Sequence, residues 1–247
     1  MKVSEQRVKT DRYALVTGAS DRIGKAIALE LAEMGYHLVL HYRSSLAKIE
    51  QVKQQIEGIG RKAVLVQFDF LADNDFNKVF DDLKSKNIMI EVMINSASDF
   101  SPSNYTNKGS LMLGRQMKIN FEGAYSLTKA FYQIYGKGIV INLLDTKINK
   151  NHTMHLDYIL AKKLLAEFTK ISALELAPHI RVNGICPGLI LPPKGKGEQY
   201  LKELAEHIPL KQIGSLEDIQ RAVRFLVEMS FITGQLLFID GGEHLSS

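Results

Sequence analysis

Short apolar runs alternate along the chain with longer amphipathic stretches. The runs at 13–16, 37–42, 63–68, 91–94, 138–144, 181–186 and 235–239 each read as a buried strand, and several end in turn residues such as Thr17-Gly18 and Pro187-Gly188. Helical periodicity fills the gaps. Residues 22–34 place Ile23, Ile27 and Leu31 on one stripe, 49–59 stop at Gly58 and Gly60, 73–86 are charged and amphipathic, and 110–136 predict one long helix. A further helix carries Leu156, Ile159, Leu160, Leu164, Leu165 and Phe168 and closes before Pro178, and a short one spans 199–207. Ser215 with Asp218 predicts a capped helix start, continued by Ile219, Val223 and Leu226. Segments 98–109 and 189–198 are rich in turn residues and read as loops. This alternation predicts an α/β fold, a doubly wound parallel sheet of about seven strands with helices on both faces. No repeat or linker interrupts residues 1–247, which predicts one domain, with 1–11 as a flexible arm.

Composition narrows the function classes. The chain is 45% hydrophobic and 23% charged, an ordinary globular balance. A net charge of +4 and a pI near 9.0, without a Lys/Arg block, point away from nucleic acid. A modest positive field does favour the approach of an anionic cofactor. Cys186 has no second cysteine to pair with and fits a reducing cytosol. No apolar run reaches transmembrane length and the polar start lacks a signal-peptide core, so a cytoplasmic protein is expected, with no membrane partner and no metal.

Candidate chemistry concentrates in the stretch 139–177. Tyr158 and Lys162 are four residues apart on a predicted helix, hence on one face and a turn apart. An ammonium there favours phenolate and lowers the tyrosine pKa toward working pH. Asp145 follows the apolar run 139–144, at the sheet edge where α/β enzymes place their chemistry. Such a Tyr/Lys pair occurs by chance in many helices, so the case rests on the other stretches.

One of these is Thr17-Gly18-Ala19-Ser20-Asp21-Arg22-Ile23-Gly24, between the first strand and its helix. Gly18 permits a tight turn, Gly24 lets the helix start pack closely, and the free N–H groups of that start suit a pyrophosphate. Arg22 stands where a glycine is common in such turns. The second strand ends in His41-Tyr42-Arg43-Ser44-Ser45, with no acid until Glu50. An acid there would bind a ribose diol, whereas the fork of Arg43 and the hydroxyl of Ser44 suit a 2′-phosphate. NADP(H) is therefore expected rather than NAD(H). Asp69, after the third strand, is placed either to accept from an adenine amino group or to cap its own loop.

Taken in order, these stretches resemble the short-chain dehydrogenase/reductase family from Tyr13 to Gly242. T-G-x-x-x-R-x-G at 17–24, Asn95-Ser96-Ala97-Ser98, Asn120, Tyr158-x-x-x-Lys162 and Asn183…Pro187-Gly188 all fall in family order. Arg22 in the turn, Asp145 in place of the usual serine, Ser98 followed by Phe100, His41-Tyr42 and Pro187-Gly188-Leu189-Ile190-Leu191-Pro192-Pro193 look like its pteridine reductase branch, which includes dihydromonapterin reductases. Ser96, where the family mostly has asparagine, departs from the pattern.

The resemblance implies a Rossmann-type fold and NADPH-dependent hydride transfer to a dihydropterin in folate metabolism. It also implies a homotetramer, or else a dimer. The implied cofactor set is Gly18, Arg22, Ile23 and Gly24 in the turn, then Tyr42, Arg43, Ser44, Asp69 and Phe70. It continues with Asn95, Ser96, Ala97, Tyr158 and Lys162, and with Pro187, Gly188 and Leu189. The implied catalytic set is Asp145, Tyr158, Lys162 and Asn120, with Asn120 kinking its helix and anchoring a relay water. The implied substrate set is Arg22, Ser98, Phe100, Asp145 and Tyr158, Phe100 stacking on a flat pterin unless it is buried under Tyr105. Apolar residues Leu111, Leu113, Met117, Leu164 and Leu165 exceed what one sheet-facing stripe needs and suggest helix faces for an isologous contact. Two other readings stay open: a carbonyl or 3-oxoacyl thioester reductase of the same family, and a non-catalytic NADP-binding sensor or scaffold.

Overall fold

The computed structural model describes residues 11–104, 112–151, 154–193 and 195–246. Residues 1–10 of the arm expected at 1–11, and Tyr105 and Leu111, lie outside these. Seven parallel strands form one sheet: β1 (Tyr13–Val16), β2 (His37–Tyr42), β3 (Ala63–Gln67), β4 (Ile90–Asn95), β5 (Gly138–Leu143), β6 (Ile180–Pro187) and β7 (Leu236–Ile239). Their order is β3-β2-β1-β4-β5-β6-β7. The chain therefore winds outward from β1, crosses back to β4 and winds outward again. The reversal between β1 and β4 opens a crevice at the carboxyl ends of the strands.

Strand side chains alternate between two helical layers, which is why the strands read as continuous apolar runs. In β1, Ala14 and Val16 join one core with α1 (Arg22–Glu33), α2 (Leu46–Gly58) and α8 (Leu216–Glu228), while Tyr13 and Leu15 join the other. That second core packs α3 (Phe76–Ser85) and α5 (Gly123–Tyr135) through Phe80, Leu127 and Phe131. Fully burying each such large side chain contributes about 1.5–3 kcal/mol, so Phe80 and Phe131 alone anchor their layer firmly.

Helix starts differ from the sequence reading where a cap, not the apolar stripe, sets the boundary. α2 begins at Leu46, 52% exposed and so invisible to a stripe that starts at Ile49. α3 begins at Phe76 because Asp75 accepts from the Lys78 N–H and fixes the first turn there. The reciprocal Ser215–Asp218 capping box opens α8 as expected. The long helix expected over 110–136 is broken: α4 (Leu113–Met117) gives way to a π-helical turn at Lys118–Glu122 before α5, and Asn120 sits in that turn. α6 (Leu156–Glu175) and the short α7 (Glu198–Ala205) complete the fold.

Candidate active site

At the switch point the end of β1 is stitched to the end of β4. The Thr17 hydroxyl accepts from the backbone N–H groups of Ser96 (2.9 Å) and Ala97 (3.0 Å). Gly18 has φ 65, and a Cβ there would stand 2.9 Å from the Ala97 Cα. A Cβ on Gly24 would come within 2.3 Å of the Gly18 carbonyl oxygen. Both glycines are thus dictated by close backbone approach. Arg22 has φ 52, an uncommon conformation for a side chain of its size, and its guanidinium donates to the Pro192 carbonyl at 2.8 Å. Beneath the turn lies His41. Its Nδ1 accepts from the Gly18 N–H at 3.1 Å, and its Nε2 meets the Phe68 carbonyl at 3.1 Å. Burial lowers its pKa to about 4, so it stays a neutral brace.

Arg43 and Ser44 are exposed at the end of β2, and no ion pair holds Arg43 among the described residues. Ser45 opens α2 without a side-chain cap, leaving first-turn N–H groups free beside them. Other expected cofactor residues face inward. Tyr42 is buried, with its hydroxyl 3.4 Å from Gln67 Oε1. Phe70 turns its ring toward His41, Phe68 and Phe76. Asp69 caps its own loop, its Oδ1 accepting from the Leu71 N–H at 3.0 Å. Asn95 donates to Asn142 Oδ1 at 2.8 Å and joins β4 to β5, while its own Oδ1 has no partner among the described residues. Ile23 packs against the first core. Pro187 ends β6, the Gly188 N–H donates to the Ile239 carbonyl at 3.0 Å, and the Leu189 carbonyl accepts from Gly214 at 3.0 Å.

The catalytic candidates do converge. Asp145 is extended just past β5 and caps the following 3₁₀ turn, Oδ1 accepting from the Lys147 N–H at 2.8 Å. Its Oδ2 accepts from the Tyr158 hydroxyl at 2.8 Å. Tyr158 is 5% exposed and Lys162 is 2% exposed; both lie on the inner face of α6. The Lys162 Nζ donates to the Leu143 carbonyl at 2.6 Å and stands 5.8 Å from the Tyr158 ring centroid. The expected lowering of the phenol pKa is not found. Burial and the neighbouring Asp145 charge push it well above its ordinary value, and only a smaller effect of the Ser98 hydroxyl opposes them. Lys162 is turned to a carbonyl and is itself brought down to about 8 by burial, against the pull of Asp145.

Asn120 lies beside this set, and its amide is fully engaged. Its Oδ1 accepts from Ser98 Oγ (2.6 Å) and the Asp99 N–H (3.2 Å). Its Nδ2 donates to the Asp99 carbonyl (3.0 Å) and Gln116 Oε1 (2.6 Å). All four hydrogen-bonding positions of that amide are taken by protein groups. It pins the Ser98–Asp99 turn, which an Asp99–Arg115 ion pair at 2.8 Å also holds.

Phe100 is 41% exposed and meets the edge of Tyr158 at a centroid distance of 4.8 Å. Its ring stacks on His155 at 3.9 Å and 15°, a residue that no sequence pattern singles out. Thr17 and His41 acquire roles as braces, foreshadowed only by polar residues at the ends of apolar runs. A cavity of about 470 Å³ opens elsewhere, lined by Asp73, Asp75, Lys118 and Glu122 among others, and none of the expected substrate residues lines it. No group of three or more His, Cys, Asp or Glu side chains among the described residues is arranged to hold a metal. No helix among them is long and apolar enough to cross a membrane.

Among curated proteins, the chain is 28% identical over 249 residues to a 3-oxoacyl-(acyl-carrier-protein) reductase of Staphylococcus epidermidis, covering 95% of this chain and 100% of that protein. It is 25% identical over 239 residues to the dihydromonapterin reductase of Klebsiella pneumoniae, covering 95% and 97%. Among solved structures, FolM alternative dihydrofolate reductase 1 from Brucella suis, in complex with NADP, superposes with a TM-score of 0.89 at 29% identity, covering 96% of this chain and 97% of that one. The chain is a member of the short-chain dehydrogenase/reductase family, matched over residues 18–244 by the family model described as enoyl-(acyl carrier protein) reductase.

Proposed function

We propose that this protein is an NADPH-dependent reductase of a dihydropterin, one NADP-binding domain acting on a flat C=N substrate. The observation that carries the reading is the 2.8 Å bond between the Tyr158 hydroxyl and Asp145, flanked by the aromatic wall of Phe100. The similarity to an NADP-bound FolM protein and to a dihydromonapterin reductase supports it.

The residues present suit the cofactor. Gly18 and Gly24 let the turn and the start of α1 pack where a Cβ would strike backbone, that start offers N–H groups, and Arg43, in no ion pair among the described residues, suits a 2′-phosphate together with Ser44 and the uncapped start of α2. Lys162 would hold the nicotinamide ribose. NADPH, when bound, supplies the hydride.

The chain's own part is the proton. Tyr158 donates to the substrate ring nitrogen while the adjacent carbon is reduced, so C=N becomes CH–NH. Asp145, the acceptor of the Tyr158 hydroxyl, then takes up a proton from solvent and returns it to Tyr158 along the same hydrogen bond, so no phenolate is left beside a carboxylate. That answers the raised phenol pKa: alone, Tyr158 is a reluctant acid, and a relay partner removes the charge it would otherwise carry. A serine hydroxyl in place of Asp145 could not act as an acid in this way. A pterin gains from a face-on aromatic wall and a few polar partners at its edge, here Ser98 and Arg22.

The second reading is a 3-oxoacyl thioester reductase, favoured by the 28% identity to such an enzyme. Asp145 and Phe100 speak for the pterin. An NADPH oxidation assay across dihydromonapterin, dihydrobiopterin, dihydrofolate and acetoacetyl thioesters decides: turnover of a dihydropterin is expected, and turnover of the thioesters alone moves the protein to the second reading.

Assembly as a homotetramer belongs to the same proposal. Leu113, Leu164, Leu160 and Ile171 are exposed on neighbouring helices α4 and α6, although Leu165, counted with them in the sequence reading, is 1% exposed and belongs to the core. A monomer mass by light scattering would contradict it.

A further inference from the structure

His155 stands three residues before Tyr158, as the N-cap of α6, yet its side chain makes no capping bond. Ser103 does that work. Its carbonyl accepts from the Leu156 N–H at 2.9 Å and its hydroxyl from the Asp157 N–H at 3.0 Å. The imidazole Nδ1 of His155 is buried with no hydrogen-bond partner among the described residues. The backbone is in the left-handed region at φ 60, where glycine or asparagine would be easier. What the side chain does make is the stack on Phe100, 3.9 Å between centroids and 15° from parallel. Phe100 in turn touches the edge of the reacting ring, and 41% of its surface is still exposed.

We propose that His155 is a positioning residue for substrate selection: its ring backs Phe100 and fixes the aromatic wall against which a flat substrate lies beside Tyr158. The inference rests on the dihydropterin reading. A loop phenylalanine with a free face would rotate, and a swinging wall selects poorly between flat and flexible substrates. Sandwiching one face against an imidazole removes that freedom before the substrate arrives. The ring, rather than its nitrogens, is the working part.

The test compares His155→Gly with His155→Phe. Glycine relieves the left-handed backbone, so the Gly variant should melt no lower than the native protein, and any loss belongs to the missing ring. Calorimetric binding of dihydromonapterin to the NADP⁺-loaded protein should weaken about 3–10-fold in the Gly variant, the size of one lost aromatic stack. KM should rise by the same factor while kcat and NADPH affinity hold. The Phe variant, which keeps a ring and loses the nitrogens, should bind as the native protein does. Native affinity in the Gly variant overturns the proposal, as does a Phe variant as weak as Gly. If the unaltered protein neither binds nor reduces any dihydropterin, the functional reading fails first, a result distinct from either.

Discussion

The two sides of the crevice are built differently. On the cofactor side the working surface is backbone. Gly18 approaches Ala97 and Gly24 approaches Gly18, so closely that a Cβ would collide, and Thr17 and His41 lock that arrangement from below. On the side proposed for the substrate the surface is side chain. Ser98, Phe100 and His155 come from irregular segments held by hydrogen bonds to Asn120 and Ser103, and Arg22 reaches across to the Pro192 carbonyl. A backbone cradle binds what every member of a family shares. A side-chain wall can be altered one residue at a time without disturbing the sheet. Changes on the first side should therefore damage NADPH binding for every substrate, and changes on the second should alter which substrate is reduced.

The largest effect should come from the residue that serves both sides. Tyr158→Phe removes the proton donor and should cut kcat by about 10²–10⁴-fold while NADPH affinity survives, read by single-turnover kinetics and cofactor titration. On the cofactor side, Arg43→Asp exchanges phosphate pairing for repulsion. It should cost about 2–4 kcal/mol of NADPH affinity and leave the ranking of substrates unchanged. A shifted ranking would break the division between the two sides.

The pH profile sharpens the boundary. Lys162 has its pKa brought down from 10.5 to about 8, so its ammonium is present below that pH and lost above it. Activity of the NADPH-loaded enzyme should fall as pH rises through about 8. Tyr158, held in its phenol form by burial and by Asp145, should add no alkaline limb there. Lys162→Arg should remove that limb, because a guanidinium stays charged throughout the range. A limb that survives in the Arg variant would assign it to another group. The smallest effect belongs to the wall. Phe100→Ala should lower kcat/KM for a dihydropterin by about 1–2 kcal/mol and change NADPH affinity far less.

Sequence pattern and structure agree best where burial on both faces leaves continuous apolar runs, as in β1, β2 and β4. They part where a polar side chain decides. Asp75 sets the start of α3 against the amphipathic stripe, and the π-helical turn around Asn120 interrupts a pattern that reads as one helix. In the site, spacing brought Tyr158 and Lys162 together correctly, but spacing says nothing of where an ammonium points. The Leu143 carbonyl takes Lys162, and Asp145 takes the phenol. Phe100 was legible as an aromatic at the right distance from Ser98. His155 was not, because its role depends on a loop folding over the start of α6, which no local pattern encodes.

If Asp145 makes this site a pterin reductase, substrate preference must depend on its carboxyl. The measurement is the ratio of kcat/KM for dihydromonapterin to kcat/KM for an acetoacetyl thioester, taken with NADPH in the native protein and in Asp145→Ser. The native ratio should lie strongly in favour of the pterin and collapse in the serine variant, chiefly through loss of pterin turnover. An unchanged ratio would show that Asp145 only caps its turn and has no part in choosing the substrate.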